Sequence, residues 1–280
     1  MRHSVIVISW LILLGLVGCA EDKGIPERPP DSEVKPSASS LEAVKPEKED
    51  PAARAIVEKA IAAHTGGKPE RLEKFKTHHI VMKGRMVSPE DRSFVNMGIE
   101  TWSAWPDQFA IRFDKGDQTA LSWAVTPNGG YQRQDARTVV PMSPADTRVI
   151  HHDCAVLAWG GTIAALANPG AMYHHPGTST LDDRSFRTVR CYVPGQPEWT
   201  LWFDEKTGLL DRIFYQGLEG SILKAKSLVL GNYAEEHGVK LPKQISLTIG
   251  GTPYFQMKVE SLETPEKLEP KTFTEPPMIK

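Results

Sequence analysis

The side chains best suited to metal chemistry are histidines and cysteines near the middle of the chain. His151, His152 and Cys154 lie within four residues, and His174 and His175 form a second pair. Imidazole and thiolate groups bind Zn²⁺ and Cu²⁺. However, adjacent histidines on a helix point about 100° apart, so only one of each pair readily joins a common site. Because no C-x-x-C or H-E-x-x-H spacing supports such a site, we expect no metal and no cofactor.

Residues for enzymatic chemistry do not fall into a catalytic pattern. The sequence has no G-x-S-x-G motif, no phosphate-binding P-loop and no G-x-G-x-x-G motif after a strand. The acidic pairs Asp182-Asp183 and Asp204-Glu205 both stand at turn signals, where carboxylates commonly cap or solvate the turn. We therefore expect that the protein is not an enzyme, and we assign no catalytic residue.

Cys154 and Cys191 are the two cysteines in the part of the chain that is patterned to fold. In an oxidising compartment, a disulfide between them would link a helix to a strand and would stabilise the fold by roughly 2–4 kcal/mol. Two buried free thiols are the alternative, and the sequence leaves both open.

The elements that position these residues begin near Pro51. Asp50 followed by Pro51 predicts a helix N-cap with proline at the first helical position. Gly66-Gly67 predicts the end of that helix, and residues 69–76 fit a second, short helix.

Most of the remaining chain alternates apolar and polar residues with a period of two, which indicates half-buried antiparallel strands. A helix that starts at Ser143-Pro144 interrupts this pattern. We predict one α+β domain with about ten strands, at residues 80–86, 95–99, 109–113, 119–125, 131–134, 186–193, 199–203, 209–216, 222–230, 243–249 and 254–261.

The N-terminus has the pattern of an export signal. Positive residues at the start precede an apolar run, residues 5–14, which is too short to span a bilayer. The run leads to Leu16-Val17-Gly18-Cys19, which resembles the lipobox of bacterial lipoproteins. The resemblance implies a signal peptide at residues 1–18 and acyl chains, such as palmitate, on Cys19. An ordinary secretory signal and an uncleaved anchor are the alternatives.

Residues 19–50 are predicted to be the lipidated cysteine followed by a disordered tether. They are rich in proline and charge and contain no aromatic residue, so they cannot bury enough surface to offset the entropy of ordering. Ala20 follows the cysteine, where an Asp would favour the inner membrane in the enterobacterial sorting scheme. We expect a lipid-anchored, periplasm-facing protein of the cell envelope, in the outer membrane.

The composition excludes several other classes of protein. The 280 residues include 33 Lys plus Arg and 35 Asp plus Glu, for a formal net charge of −2. That balance lacks the basic excess that nucleic-acid binding requires. A hydrophobic fraction of 40% is too high for a fully disordered chain and too low for a polytopic membrane protein.

Three short motifs in the second half of the chain resemble the bacterial lipoprotein-carrier superfamily, the LolA/LolB-like proteins. They are W-F-D-E-K-T-G-L-L at residues 202–210, G-V-K-L-P at residues 238–242 and F-T-E-P-P at residues 273–277. The resemblance covers the domain at residues 51–280. It implies a strongly curved antiparallel sheet, an incomplete β-barrel, with helices that cover the open side and a cavity that holds acyl chains.

On this basis we expect a membrane-anchored envelope lipoprotein that binds an acyl chain or another hydrophobic ligand, in lipid or lipoprotein trafficking or sensing. Its partners would be the membrane, through Cys19, and the acyl chains of lipids or lipoproteins. The alternatives are a non-enzymatic scaffold of the envelope without a ligand, and a metal-binding or redox protein. The candidates for a cavity wall or a membrane-facing loop are aromatic: Trp102, Trp105, Phe109, Phe113, Trp123, Trp199 and Phe203.

Overall fold

The computed structural model describes residues 43–88, 92–115, 118–133, 137–219 and 222–278. The predicted signal peptide, Cys19 and the tether up to residue 42 lie outside the described residues. Residues 43–50, which the sequence assigns to the tether, contact the domain: the Ala43 amide donates to the Gln196 carbonyl at 3.0 Å, and the Asp50 amide to the Tyr173 carbonyl at 2.9 Å. The folded part therefore begins before Pro51.

Helix α1 (Pro51–Thr65) is capped at both ends as the sequence predicts. The Asp50 carboxylate accepts a hydrogen bond from the Ala52 amide at 2.8 Å, and Gly66 ends the helix in the left-handed conformation at φ 63°. The second predicted helix is a 3₁₀ helix, Pro69–Lys76.

Helix α2 (Pro144–Thr162) interrupts the strands where the sequence predicts a helix. The Ser143 hydroxyl caps it by accepting from the Asp146 amide at 3.1 Å. Two more 3₁₀ helices follow, at Ala164–Ala167 and Pro270–Phe273. Within the described part of the chain, no helix is long and apolar enough to cross a membrane.

The described residues form fifteen strands. They are β1 (Thr77–Val87), β2 (Phe94–Ala104), β3 (Gln108–Lys115), β4 (Gln118–Thr126), β5 (Gly129–Arg133), β6 (Val139–Pro141), β7 (Met172–Leu181), β8 (Arg184–Tyr192), β9 (Trp199–Asp204), β10 (Leu210–Glu219), β11 (Ile222–Gly231), β12 (Ala234–Glu236), β13 (Val239–Leu241), β14 (Gln244–Ile249) and β15 (Thr252–Glu263).

Thirteen of these strands form one antiparallel sheet in the order β6-β5-β4-β3-β2-β1-β15-β14-β11-β10-β9-β8-β7, and β12 pairs only with β13. The chain runs from the centre of the sheet to the edge at β6, crosses through α2 to the opposite edge at β7, and returns to the centre. The α+β class and the antiparallel sheet are confirmed.

The predicted number of about ten strands is wrong. Four short or irregular strands, β6, β7, β12 and β13, do not show the period-two pattern and were not predicted. The longest of them, β7, contains Pro176, and its register shifts between His174 and Gly177. His175 has a positive φ of 47°. Proline is tolerated at a sheet edge, where its missing donor costs no ladder hydrogen bond, but it conceals the strand from a period-two pattern.

The sheet is strongly curved and does not close into a barrel. Strands β3 and β11 are five strand spacings apart, which is about 24 Å in a flat sheet. Nevertheless, Ile111 of β3 and Leu228 of β11 line the same small cavity. The sheet must therefore curl, and its edges at β6 and β7 are not paired with each other.

The concave face of the sheet holds the hydrophobic core. The sheet has two arms, one on each side of the central strands β1 and β15: β2 to β6 on one side, and β14 with β11 to β7 on the other. Helix α1 packs on β7, β8 and β13. Helix α2 contacts both arms, at β2 to β5 and at β10 and β11. One continuous core cluster extends from Ala53 to Val259. Residues 43–278 thus contain both helices, all the described strands and this core, so we expect the segment to fold on its own.

Candidate functional site

The most distinctive internal space is a small apolar cavity between the two arms of the sheet, under the middle of α2. Its volume is about 50 Å³. The wall is formed by side chains of α2 and of both arms: Ile111, Phe113, Trp123, Ile150, Asp153, Cys154, Val156, Leu157, Tyr215, Glu219, Lys226, Leu228, Leu247, Ile249, Tyr254 and Phe255.

The position of α2 limits the volume of the cavity. Pockets that hold a small-molecule ligand generally measure about 300–1,000 Å³. With α2 in its observed position, a space of about 50 Å³ is therefore too small for an acyl chain. The helix is held close to the sheet at Gly160, where a Cβ atom would lie 2.4 Å from the Leu228 Cδ2 atom.

A buried ion cluster lies in the otherwise apolar wall of this cavity. Lys226 is only 1% exposed, and its ammonium group donates to the Asp153 carboxylate of α2 at 2.8 Å and to the Glu219 carboxylate of β10 at 2.7 Å. The Tyr215 hydroxyl also donates to Asp153, at 3.0 Å. Gly217 leaves room for the lysine, because a Cβ atom there would lie 2.7 Å from the Lys226 Cε atom.

The electrostatics of this cluster follow from its burial. Burial raises the pKa of Glu219 above its ordinary value, and the nearby Lys226 ammonium offsets part of that rise. Burial alone would lower the pKa of Lys226, but the Asp153 and Glu219 carboxylates raise it, so the lysine remains charged. The Lys226 ammonium group thus forms ion pairs with two carboxylates, and these pairs link α2 to β10 and β11.

Two of the seven predicted aromatic residues line the cavity. Phe113 and Trp123 pack edge to face, with ring centroids 5.3 Å apart. The geometry is a favourable one for aromatic pairs.

Three other predicted aromatic residues surround Trp159 of α2, which the sequence analysis did not select. The Trp159 ring lies 4.4 Å from Trp105, 6.5 Å from Phe109 and 4.6 Å from Trp199. Phe203 is buried elsewhere in the same core. These residues anchor the C-terminal half of α2 rather than form a cavity.

Trp102 lies on the outer face of the sheet. It stacks on His79, with centroids 4.7 Å apart and planes inclined by 10°, and it packs on the small outer cluster that contains Phe273. The C-terminal segment covers the part of this face that β3 and β4 form, and the Pro276 carbonyl accepts from Arg133 at 2.7 Å.

The cysteines and histidines of the middle segment are separated rather than gathered. Cys154 and Cys191 are both free and buried, so the disulfide that the sequence left open is not formed in this structure. His152 faces the Gly195 carbonyl at 3.1 Å, whereas His174 pairs with Glu198. In the described ranges, no group of three or more His, Cys, Asp or Glu side chains could hold a metal ion.

The sequence pattern of β11 indicates that Lys226 is buried, although Lys226 is not among the residues predicted above. Lys226, Leu228 and Leu230 share one face of β11, and all three are buried. A lysine in register with two leucines on an apolar face is a buried cation that needs a partner. The partner, Asp153, is 73 residues away on α2, and no local pattern identifies it.

The fold and its cavity define a class of proteins: curved antiparallel half-barrels with helices on the concave face. The chain is similar to a solved LolA superfamily protein from Nitrosomonas europaea, with a TM-score of 0.53 and 13% identity over 80% of this chain and 97% of that chain. It is also similar to an outer membrane lipoprotein-sorting protein domain from Vibrio parahaemolyticus, with a TM-score of 0.51 and 13% identity over 79% and 96% of the two chains.

A DUF1329 family protein from Desulfovibrio piger gives the same TM-score of 0.51 at 13% identity, over 79% of this chain and 96% of that one. No protein-family model matches the sequence, and no curated protein matches it significantly. The chain therefore has the LolA/LolB-like fold, and the resemblance stated from its sequence motifs is confirmed at the level of the fold.

Proposed function

We propose that this protein is a lipid-anchored, non-enzymatic component of the bacterial cell envelope that binds an acyl chain or a similar hydrophobic ligand between the sheet and α2. The observation that carries the proposal is the apolar cavity between the two arms, which lies directly under a helix that touches both. The similarity to a lipoprotein-sorting domain supports an envelope location.

Ligand entry requires α2 to move, because the cavity of about 50 Å³ cannot hold an acyl chain as it stands. The first half of α2 is suited to such a movement. Residues 144–149 are exposed or half-buried, whereas residues 154–162 are buried. Between the two halves, Asp153 is the polar contact to Lys226. We propose that the ligand occupies the space which the first half of α2 vacates.

The small volume of the cavity also favours a second candidate function. A half-barrel whose interior is filled by its own helix could act as a scaffold or interaction module without any ligand. The packing of Trp159 against Trp105 and Trp199 supports this alternative.

The experiment that separates the two functions measures uptake of a fluorescent fatty acid by the segment from residue 43 to the C-terminus, together with native mass spectrometry after purification. Binding of the fatty acid, or a co-purified lipid, is the expected result. The variant Leu247→Trp fills the cavity wall and should lower the affinity at least about tenfold, because the ring occupies the ligand's space.

Leu268→Trp is the matched control. Leu268 belongs to the outer cluster around Phe273, so the same substitution adds the same ring on the opposite face of the sheet. Uptake by Leu268→Trp should equal that of the wild type. A wild-type protein that carries no lipid and takes up no fatty acid would contradict the proposed ligand and favour the scaffold.

A further inference from the structure

A groove on the outer face of the sheet concentrates positive charge in a protein that is almost neutral overall. It lies where β1, β2, β14 and β15 meet, on the face opposite the cavity, and its volume is about 450 Å³. Among the described residues, its lining contains four cations and no carboxylate: Lys83, Gly84, Arg85, Asn96, Asn232, Lys243, Gln244, Gln256, Met257 and Lys258.

Two of these cations oppose each other directly in the sheet. Lys83 of β1 is the cross-strand partner of Lys258 in β15, and both side chains are exposed on the outer face. Like charges directly opposite in an antiparallel pair destabilise the sheet. Residues that lower the stability of the sheet are candidates for a functional role.

The carboxylates near the groove neutralise only part of its charge. Lys243 pairs with Glu236, and Lys258 lies 3.7 Å from Glu260 in a pair whose lysine is 75% exposed. Neither Lys83 nor Arg85 forms a salt bridge with a described carboxylate. The charges of Lys83 and Arg85 are therefore available to bind an external anion.

An exposed aromatic ring lies beside the groove. Phe94 is 53% exposed, and the Arg85 guanidinium lies 4.4 Å from its ring centroid. The Arg85 side chain also donates to Gln256 at 3.1 Å, which holds it along the groove. Exposed apolar rings flanked by Lys and Arg are typical of surfaces that lie on membranes, where the ring enters the interface and the cations meet lipid phosphates.

We propose that this groove is a docking surface for the anionic phosphate groups of a lipid bilayer. The predicted anchor at Cys19 favours a bilayer as the partner, because a lipid on that residue would hold the domain close to a membrane surface. The proposal is independent of ligand uptake under α2, since the groove lies on the other face of the sheet.

The test is vesicle binding by the segment from residue 43 onward, which lacks the anchor. It should bind vesicles that contain phosphatidylglycerol more tightly than vesicles of phosphatidylcholine alone, and added salt should weaken that binding. Lys83→Gln with Lys258→Gln should lower the affinity for the anionic vesicles about 25-fold, or about fivefold for each charge removed.

Lys59→Gln with Lys206→Gln is the matched control, because both lysines are exposed outside the groove and the net charge changes equally. The control should bind almost as tightly as the wild type. The groove variant should also be at least as stable as the wild type, since the Lys83–Lys258 repulsion is removed.

Three results would overturn the proposal: equal binding to anionic and neutral vesicles, equal losses in the groove variant and its control, or displacement by inorganic phosphate beyond that by chloride at the same ionic strength. The last would identify a site for free phosphate instead. Fatty-acid uptake, measured on the same variants, should stay unchanged and thereby separates this proposal from the proposed function.

Discussion

Helices α1 and α2 both lie on the concave face of the sheet, but they are attached to it in different ways. The end of α1 is bonded to the backbone of two strands, because the His64 ring lies between the Lys240 carbonyl, at 2.8 Å, and the Leu210 amide, at 3.0 Å. The middle of α2 instead lies over a cavity and meets the sheet through the side chains of Asp153 and Lys226, and the backbone contact of its His152, with the Gly195 carbonyl, is with a loop rather than a strand.

The proposed ligand entry under α2 is consistent with this difference in attachment. Arg71 further secures the end of α1 by donating to the Thr65 carbonyl at 2.9 Å and to the Gly238 carbonyl at 2.8 Å. Backbone partners cannot turn away without disrupting the strand, whereas a lysine side chain can exchange one acceptor for another. If the protein binds a ligand as proposed, we therefore expect α1 to stay in place and the first half of α2 to move.

The largest expected effect is that of Lys226→Met. The substitution leaves the half-buried carboxylates Asp153 and Glu219 without their shared cation, and removing one partner of a buried ion pair costs about 3–5 kcal/mol. Urea unfolding should show a loss of about 4 kcal/mol, and hydrogen exchange should accelerate more in α2 than in α1. Equal acceleration in both helices would contradict the expected movement of α2.

A variant that replaces the whole cluster provides the control. Lys226→Met with Asp153→Leu, Glu219→Leu and Tyr215→Phe exchanges the ions and the hydroxyl that donates to Asp153 for apolar groups, a change that is often neutral or stabilising when no polar group remains unpaired. Most of the lost stability should return. Fatty-acid uptake should become slower than in the wild type, because the polar contact of α2 has become an apolar one.

His64→Ala tests the fixed helix and should have the next largest effect. It leaves the Lys240 carbonyl and the Leu210 amide without their partner in a buried place, at a cost of about 3 kcal/mol in total. The loss should appear as global unfolding in urea, with uptake of fatty acid unchanged. A change in uptake without loss of stability would reverse the roles of the two helices.

The same histidine predicts a dependence of stability on pH. Burial lowers the pKa of His64 to about 4, and the hydrogen bond to the Lys240 carbonyl offsets only part of that fall. A folded-state pKa below the unfolded value of 6.5 means that this contribution is complete above about pH 6.5 and is lost as the pH falls towards 4.

Between those values, His64 contributes a slope of about 1.4 kcal/mol per pH unit. His78 and His152, whose pKa values burial also lowers to about 4, add to the slope of the wild type. The unfolding free energy, measured with urea between about pH 7 and about pH 5, should change less steeply with pH in His64→Gln than in the wild type. The difference in slope should be about the contribution of one histidine. An unchanged slope would show that His64 is not buried in its neutral form.

Arg54→Gln should have the smallest effect. Arg54 pairs with Glu49 at 2.6 Å and lies 4.6 Å from the Tyr173 ring centroid, but both charged side chains are about one-third exposed. Pairs of this kind contribute less than about 1 kcal/mol. Thermal unfolding should therefore change little. A loss as large as that of His64→Ala would mean that α1 depends on its first turn rather than its last.

The sequence predicted the parts of this fold that depend on local chemistry. Asp50-Pro51 and Ser143-Pro144 identified the starts of both helices, since a cap is made by residues a few positions apart. Strand β7 was missed, because its proline and its positive φ are tolerated only by its place at the sheet edge, a property of the whole sheet.

The candidate site was less predictable from the sequence. Alternation along β3 separates Phe109, Ile111 and Phe113 from the residues of the other face, but it does not tell which face is concave. Trp102 was selected with Phe113, and the two lie on opposite faces of the sheet. The cavity depends on contacts between α2 and two distant arms, for which a sequence has no local signal.

Hydrogen exchange with and without a fatty acid tests the central claim most directly. Amides in the first half of α2 and in α1 are compared in the wild-type segment from residue 43 onward. We expect exchange around Asp153 to change when the fatty acid is added, while exchange around His64 stays the same. Exchange that is unaltered in α2, or altered equally in both helices, would contradict a movable α2 beside a fixed α1.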